Sequence, residues 1–344
     1  MKSSSLVFLL VFWGLVACTH QPRPSENRSD SDASMSDSKA NASSRNPAAR
    51  REGTLPPNQL QIAEDCALPA SMAKVPDSIY LKHRAMWINY NPRLRNPNWV
   101  YHELYRENLQ RACFKRPGPG SGPFGIDPQL KKLLEGFNAQ KAISIINSNS
   151  YKNTGFDRGH LAPNADFAHD NQAQVESFYM SNMMPQQPDV NQQTWAKLEN
   201  RIRNLACGMG HVRVYTGPIY SKPPMGALKS CAMVPEAYYK ALLAIKNGQY
   251  YGIAFIYSQD DRVGANLDVQ PAKGDISGQR VVSIAEVEDR TGIPLFTEFS
   301  EDLQRYFKSQ KDLSRWTESA SCYKELCKTQ GLPPDERGEV TEEP

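Results

Sequence analysis

The chain has 344 residues, of which 40% are hydrophobic, 9% aromatic and 22% charged, a composition that excludes a fully disordered chain and a multi-span membrane protein. Forty Lys and Arg against 37 Asp and Glu give a net charge of +3, so a nucleic-acid or membrane partner has to be recognised by a local patch and not by bulk charge. The seven cysteines are an odd number, which in an exported chain leaves one thiol with a role of its own.

Lys2 precedes an apolar run from Leu6 to Ala17. As a helix that run spans about 18 Å, short of a ~30 Å hydrocarbon core, so residues 1–17 read as a signal-peptide core and not as a membrane span. It closes on Leu15-Val16-Ala17-Cys18, which resembles the bacterial lipobox. That resemblance implies lipidation of Cys18 and accounts for the odd thiol; a plain secretory signal with an incidental Cys18 is the alternative. Each buried acyl methylene contributes about 0.8 kcal/mol, so several chains make a lasting membrane anchor. Thr19 next to the cysteine resembles the pattern sorted to the outer membrane, which predicts a lipoprotein of the bacterial cell envelope with its membrane face left open. Residues 18–58 are rich in Ser, Asn, Asp, Pro and Arg and offer almost nothing to bury. They read as a tether with a reach of roughly 35 Å. Residues 331–344 form a polar, acidic tail.

The body, residues 59–330, has no Pro/Ser linker and no repeat, and reads as one α+β domain. Residues 77–106 read as two strands around NPRLRNP, with Val100, His102 and Leu104 on one face. A Gly/Pro loop, KRPGPGSGPFG, follows. Residues 189–206 place Trp195, Leu198, Ile202 and Leu205 at helical spacing. A short strand at 212–217 comes next, then two apolar runs, 238–245 and 250–258, meeting across Lys246-Asn247-Gly248-Gln249; Asn-Gly between apolar runs predicts a type I′ hairpin. The segment VSIAEVEDRTGIPLFTEF suggests a short helix broken at Gly292 and Pro294. Six cysteines lie in the body, and an exported chain favours three disulfides; sequence proximity suggests Cys66–Cys113, Cys207–Cys231 and Cys322–Cys327. No Cys-x-x-Cys pair supports a zinc site.

Residues 157–167 read DRGHLAPNADF, followed by FYMSNMMPQ at 178–186 and VNQQTWAKLE at 190–199. These motifs, in this order over roughly residues 75–305, closely resemble the DNA/RNA non-specific endonuclease family of the ββα-metal (His-Me finger) superfamily, which includes the endonuclease G type. The resemblance implies a ββα-metal fold with a central antiparallel sheet flanked by helices, and hydrolysis of phosphodiester bonds in DNA and RNA with 5′-phosphate products. It implies Mg²⁺ as cofactor, with Mn²⁺ able to stand in, and allows a homodimer. No protein partner can be inferred.

The residue types suit that chemistry. Phosphodiester hydrolysis needs an activated water and a cation against the charge building on phosphorus. An imidazole with a pKa near 6.5 is largely neutral at neutral pH and can take a proton from water; the matching family histidine, here His160, is the general base. Asn191 offers one neutral amide oxygen, suited to a hard Mg²⁺ that keeps most of its waters, and the resemblance makes it the direct protein ligand. On a regular helix Glu199 lies about 12 Å along and roughly 80° around from Asn191. It is therefore read as an outer-shell carboxylate, as the family also implies. Arg158 suits the scissile phosphate, Asp157 could orient His160 or pair with an arginine, and Asn182 matches a family asparagine that supports the site. The upstream phosphate-clamping arginine is placed at Arg116, with Arg111 behind it. Lys197, Arg201, Arg203 and Arg213 fit either a phosphate track or a solvated helix face. The rival readings are a catalytically inactive nucleic-acid-binding lipoprotein and a structural envelope lipoprotein that binds a protein.

Overall fold

Apolar runs of strand length, separated by short polar turns, fold the chain back on itself. The structure, a computed structural model, describes residues 66, 75–112, 114, 116, 124–137, 145–222, 225–259, 280–319 and 322. The signal segment, Cys18, the tether, the Gly/Pro loop at 117–123 and the acidic tail lie outside the described residues. No helix among the described residues is long and apolar enough to cross a membrane. In chain order the elements are β1 (Ile79–Lys82), β2 (Met86–Asn91), β3 (Asn96–Tyr105), α1 (Arg106–Gln110), α2 (Pro128–Gly136), β4 (Asp157–His160), α3 (Asn171–Ser177) and β5 (Met183–Gln186). A π-helical turn, Val190–Trp195, then runs into α4 (Ala196–Met209), followed by β6 (His211–Ile219), β7 (Ala237–Lys246), β8 (Gln249–Ser258), β9 (Val281–Val282), α5 (Ile284–Thr291) and α6 (Glu301–Lys308).

Seven strands make one antiparallel sheet in the order β1-β2-β3-β6-β7-β8-β9, and β4 and β5 form a separate antiparallel pair. The β7–β8 hairpin turns at Asn247 and Gly248, with φ of 53° and 75°, the conformation a type I′ turn requires. Alternation along β3 sends Val100, His102 and Leu104 to a buried face. Onto that side packs α4, through Leu198, Ile202 and Leu205, each worth about 1.5–3 kcal/mol when fully buried. The opposite face of β7 and β8 is covered by α5 and α6, with Ile284, Val287 and Phe307 against Tyr239, Ala241 and Ile256. α5 starts on a capping box between Ser283 and Glu286 and ends at Gly292 with φ 70°, as the Gly-Ile-Pro break suggests.

Three sequence expectations are corrected here. Residues 78–90 do not form one strand: His83 leaves the sheet to bond Asp127 at 2.8 Å, and the chain reverses between β1 and β2. The helix at 189–206 begins with the π turn, whose extra residue lets Asn191 and Gln192 both donate to Asp157 while the Trp195 indole donates to the His160 carbonyl. The disulfides are Cys66–Cys231 and Cys207–Cys322, which overturns all three pairings suggested by proximity. The cause is tertiary. The Arg95 guanidinium donates to the carbonyls of both Cys66 and Cys231 at 3.4 Å, and the segment before Cys322 runs along α4, where Ser319 N donates to Asn204 O at 3.0 Å. Cys113 and Cys327 lie outside the described residues.

Candidate active site

β4, β5 and α4 form a ββα unit against the large sheet, and the DRGH motif is the whole of β4. Alternation along a strand puts Arg158 and His160 on one face and Asp157 and Gly159 on the other. A Cβ at position 159 would come within 1.9 Å of the Gln186 amide on β5, so glycine there lets that buried side chain pack over the strand. The same alternation corrects the expectation for Asp157, which among the described residues bonds neither His160 nor an arginine. It accepts from Asn191 Nδ2 at 3.0 Å and from Gln192 Nε2 at 2.8 Å.

The main chain after His160 is held on several sides. Leu161 N donates to Asn182 O at 3.0 Å. The Asn182 side chain, fully buried, accepts from Ala162 N at 3.0 Å and donates to Ala162 O at 2.9 Å. Asn182 thus supports the site through backbone and does not enter it. Trp195 Nε1 donates to His160 O at 3.3 Å.

The imidazole itself is uncommitted. Its Nε2 is buried with no hydrogen-bond partner among the described residues. Phe178 and Phe124 pack against the ring, with centroids 5.1 and 6.0 Å away. Burial lowers the pKa of His160 to about 3, helped by the charges of Arg116, Lys240 and Arg158, so the ring is neutral. The Arg158 guanidinium lies 4.1 Å from the Phe124 centroid and donates to Ser148 Oγ; it has no carboxylate partner among the described residues. Arg116 is 5.2 Å from the Phe178 centroid and acts electrostatically on both His160 and Glu199. Arg111 is exposed at the end of α1 and its charge bears on His169. Arg116, and not Arg111, is therefore the upstream arginine the fold brings to the site.

A cation site can be read from donor chemistry. Asp157 takes the amide nitrogen of Asn191, which fixes the side-chain flip and leaves the oxygen as the free end. A π turn uses about one more residue per turn than an α-helix, so the step from Asn191 to Glu199 closes on two turns and brings both towards one face. Burial raises the Glu199 pKa, and the nearby charges of Lys240, Arg203 and Arg116 oppose the rise. Among the described residues no group of three or more His, Cys, Asp or Glu could hold a metal. The donors fit a hydrated hard cation held by one amide oxygen, with a carboxylate nearby.

Two polar groups behind the site, Asp166 and Lys240, escaped the sequence reading. Asp166 accepts from Arg203 at 2.8 Å and pairs with His102 Nε2 at 2.9 Å, and Lys240 is buried beside Trp195. Burial lowers the His102 pKa, so the Asp166 carboxylate faces a neutral ring that donates. Arg201 pairs with Glu318 at 2.8 Å and Arg213 with Glu298 at 3.3 Å. Of the four cations considered for a phosphate track, three are thus engaged by acidic groups of the protein.

The sequence profile of the DNA/RNA non-specific endonuclease family matches residues 68–302. The chain belongs to this family. Its members are metal-dependent nucleases, so the chain is placed among the endonucleases that hydrolyse nucleic acid. It is 27% identical over 242 residues to a nuclease of Nostoc sp. (strain PCC 7120 / SAG 25.82 / UTEX 2576), covering 69% of this chain and 80% of the relative. It is 27% identical over 268 residues to a nuclease of Serratia marcescens, covering 73% and 87%. Mitochondrial endonuclease G of Bos taurus is 34% identical over 158 residues, covering 44% of this chain and 47% of the relative, so the chain spans about half the length of that one.

Proposed function

We propose that this family member is an exported, membrane-anchored endonuclease that uses Mg²⁺, with Mn²⁺ able to replace it, to cut both DNA and RNA. The observation that carries the catalytic reading is the His160 imidazole, neutral, with its Nε2 unpartnered among the described residues and within the electrostatic reach of Arg158 and Arg116. His160 takes a proton from water, and the water attacks phosphorus in line as the bond to the 3′-oxygen breaks. Arg158 donates to the phosphate as negative charge builds, with Arg116 facing the same space. Asn191 would hold the cation through its amide oxygen, with Asp157 fixing that amide and Glu199 as the outer-shell carboxylate. When bound, Mg²⁺ supplies Lewis-acid stabilisation of the charge on the phosphorane and on the departing 3′-oxygen, leaving a 5′-phosphate. Contacts to phosphate carry no base or sugar information, which supports activity on both nucleic acids.

The location rests on the first residues of the chain. The short apolar run ending in Leu15-Val16-Ala17-Cys18 supports lipidation at Cys18, and residues 18–58 would tether a domain of residues 59–330 to the outer membrane of a bacterial envelope. A homodimer is compatible with this arrangement. Purified protein is expected to degrade plasmid DNA and RNA in Mg²⁺ and to stop in EDTA; intact substrates in Mg²⁺ would contradict the activity. Labelling with a palmitate analogue tests the anchor, and loss of label in Cys18→Ser is the expected result.

A further inference from the structure

β7 carries a lysine where its neighbours are apolar. Lys240 is 1% exposed, and an ammonium taken that far out of water costs several kcal/mol unless it is well paired. Its Nζ donates to the Leu161 carbonyl at 2.8 Å and to Thr216 Oγ1 at 3.1 Å, and lies 4.9 Å from the centroid of the Trp195 ring. A methionine would fill much the same space without that desolvation, so packing alone does not account for a charge here.

Two partners of Lys240, the Leu161 carbonyl and the Trp195 ring, converge on one piece of main chain, while its charge also faces the carboxylates of Glu199 and Asp166. Leu161 follows His160, and the Trp195 ring beneath the ammonium donates from Nε1 to the His160 carbonyl at 3.3 Å. Two consecutive carbonyls are therefore held from one side, the first by the indole and the second by an ammonium resting on that indole. Thr216 lies directly opposite Lys240 in the β6–β7 register, which fixes the ammonium to the large sheet. The segment is closed from the other side by Asn182.

We propose that Lys240 is a positioning residue for the general base, locking the His160–Leu161 main chain to the central sheet so that the imidazole is presented beside Arg158 and Arg116. The inference rests on His160 acting as the base. Its charge also adds to that of the two arginines in disfavouring a protonated imidazole, burial being the larger cause. Loss of the ammonium frees the Leu161 carbonyl and lets the ring drift while the substrate-binding arginines stay in place.

The test is a split between kcat and KM on duplex DNA at saturating Mg²⁺, with thermal melting as a check of folding. Lys240→Met is expected to lower kcat by about 10²-fold, the size of loss a ~1 Å misplacement causes, with KM unchanged. Thr216→Val removes one acceptor and leaves the ammonium on Leu161, so a smaller loss confined to kcat is expected. Should Lys240→Met fail to fold, Thr216→Val and Trp195→Phe, alone and combined, give the same reading through a less-than-additive loss in log kcat. Wild-type kcat in folded Lys240→Met, a loss carried by KM, or strict additivity in the cycle would overturn the proposal. His160→Ala separates the two levels. If it is inactive while Lys240→Met cuts at the wild-type rate, only the positioning role is lost; if it cuts at the wild-type rate, the base assignment fails and takes this inference with it.

Discussion

The amide nitrogen of Asn191 donates to Oδ2 of Asp157 at 3.0 Å, joining the π turn before α4 to the first residue of β4. Asp157 thereby decides which end of the Asn191 amide is free, a task the sequence does not show. Removing the carboxylate lets the amide turn and weakens the cation site. Asp157→Ala is expected to raise the Mg²⁺ concentration for half-maximal cleavage by about 10–100-fold, the usual cost of losing a group that orients a ligand. A titration with Mg²⁺ checks it, and an unchanged midpoint would remove Asp157 from the site.

Arg158 has the Phe124 ring and the Ser148 hydroxyl as its neighbours, so its charge is available to phosphate. Arg158→Ala is expected to reduce kcat by about 10²–10³-fold, as for loss of an oxyanion donor. Arg158→Lys should recover only part of this, because an ammonium cannot bind phosphate in the bidentate way. Steady-state rates on one DNA substrate decide between these outcomes.

His160 titrates far below a free imidazole, at about 3. Its folded pKa is depressed, so the unfolded chain binds the extra proton first, near 6.5, and stability falls as pH drops from 6.5 towards 3. In metal-free protein the His160 ring resonance is expected to stay in the neutral range down to pH 5. An NMR titration with labelled histidine checks this, and a midpoint near 6.5 would contradict it.

On the far side of the sheet, hydrogen bonding to His211 lowers the Glu103 pKa to about 2, with Tyr101 and Tyr105 adding to the effect and burial opposing it. A depressed carboxylate stabilises the fold above its unfolded pKa, near 4.5, and that stability is lost as pH falls through 2. Glu103→Gln is expected to cost on the order of 2 kcal/mol at pH 7 once solvent screening is allowed for, with the deficit vanishing towards pH 2. Denaturant unfolding at several pH values measures it, and it should leave cleavage untouched.

The chemistry of this site was legible where it is written contiguously. DRGH is a strand, and the Asn191–Glu199 run is a helix start, so the resemblance carried by these contiguous motifs was enough to single out His160, Arg158, Asn191 and Glu199 as candidates. The supports behind them were hidden because they join distant parts of the chain: Lys240 reaches Leu161 across 79 residues and Arg203 reaches Asp166 across 37. Lys240 sits inside the apolar run YYKALLAI, and a lone cation in so buried a strand was the one available signal. The disulfides failed for the same reason. Cys66–Cys231 and Cys207–Cys322 are 165 and 115 residues apart, whereas proximity favours short loops. The π turn had no signature in periodicity, since one extra residue leaves the apolar face of α4 intact.

The role of His160 as the base of an Mg²⁺-dependent nuclease is measured most directly by the initial rate of plasmid and RNA cleavage by wild type and His160→Ala in Mg²⁺ and in EDTA. Wild type is expected to cut both substrates only with Mg²⁺, and His160→Ala to be slower by about 10²–10⁴-fold, the range that general base catalysis supplies. Cleavage by His160→Ala at the wild-type rate would contradict it.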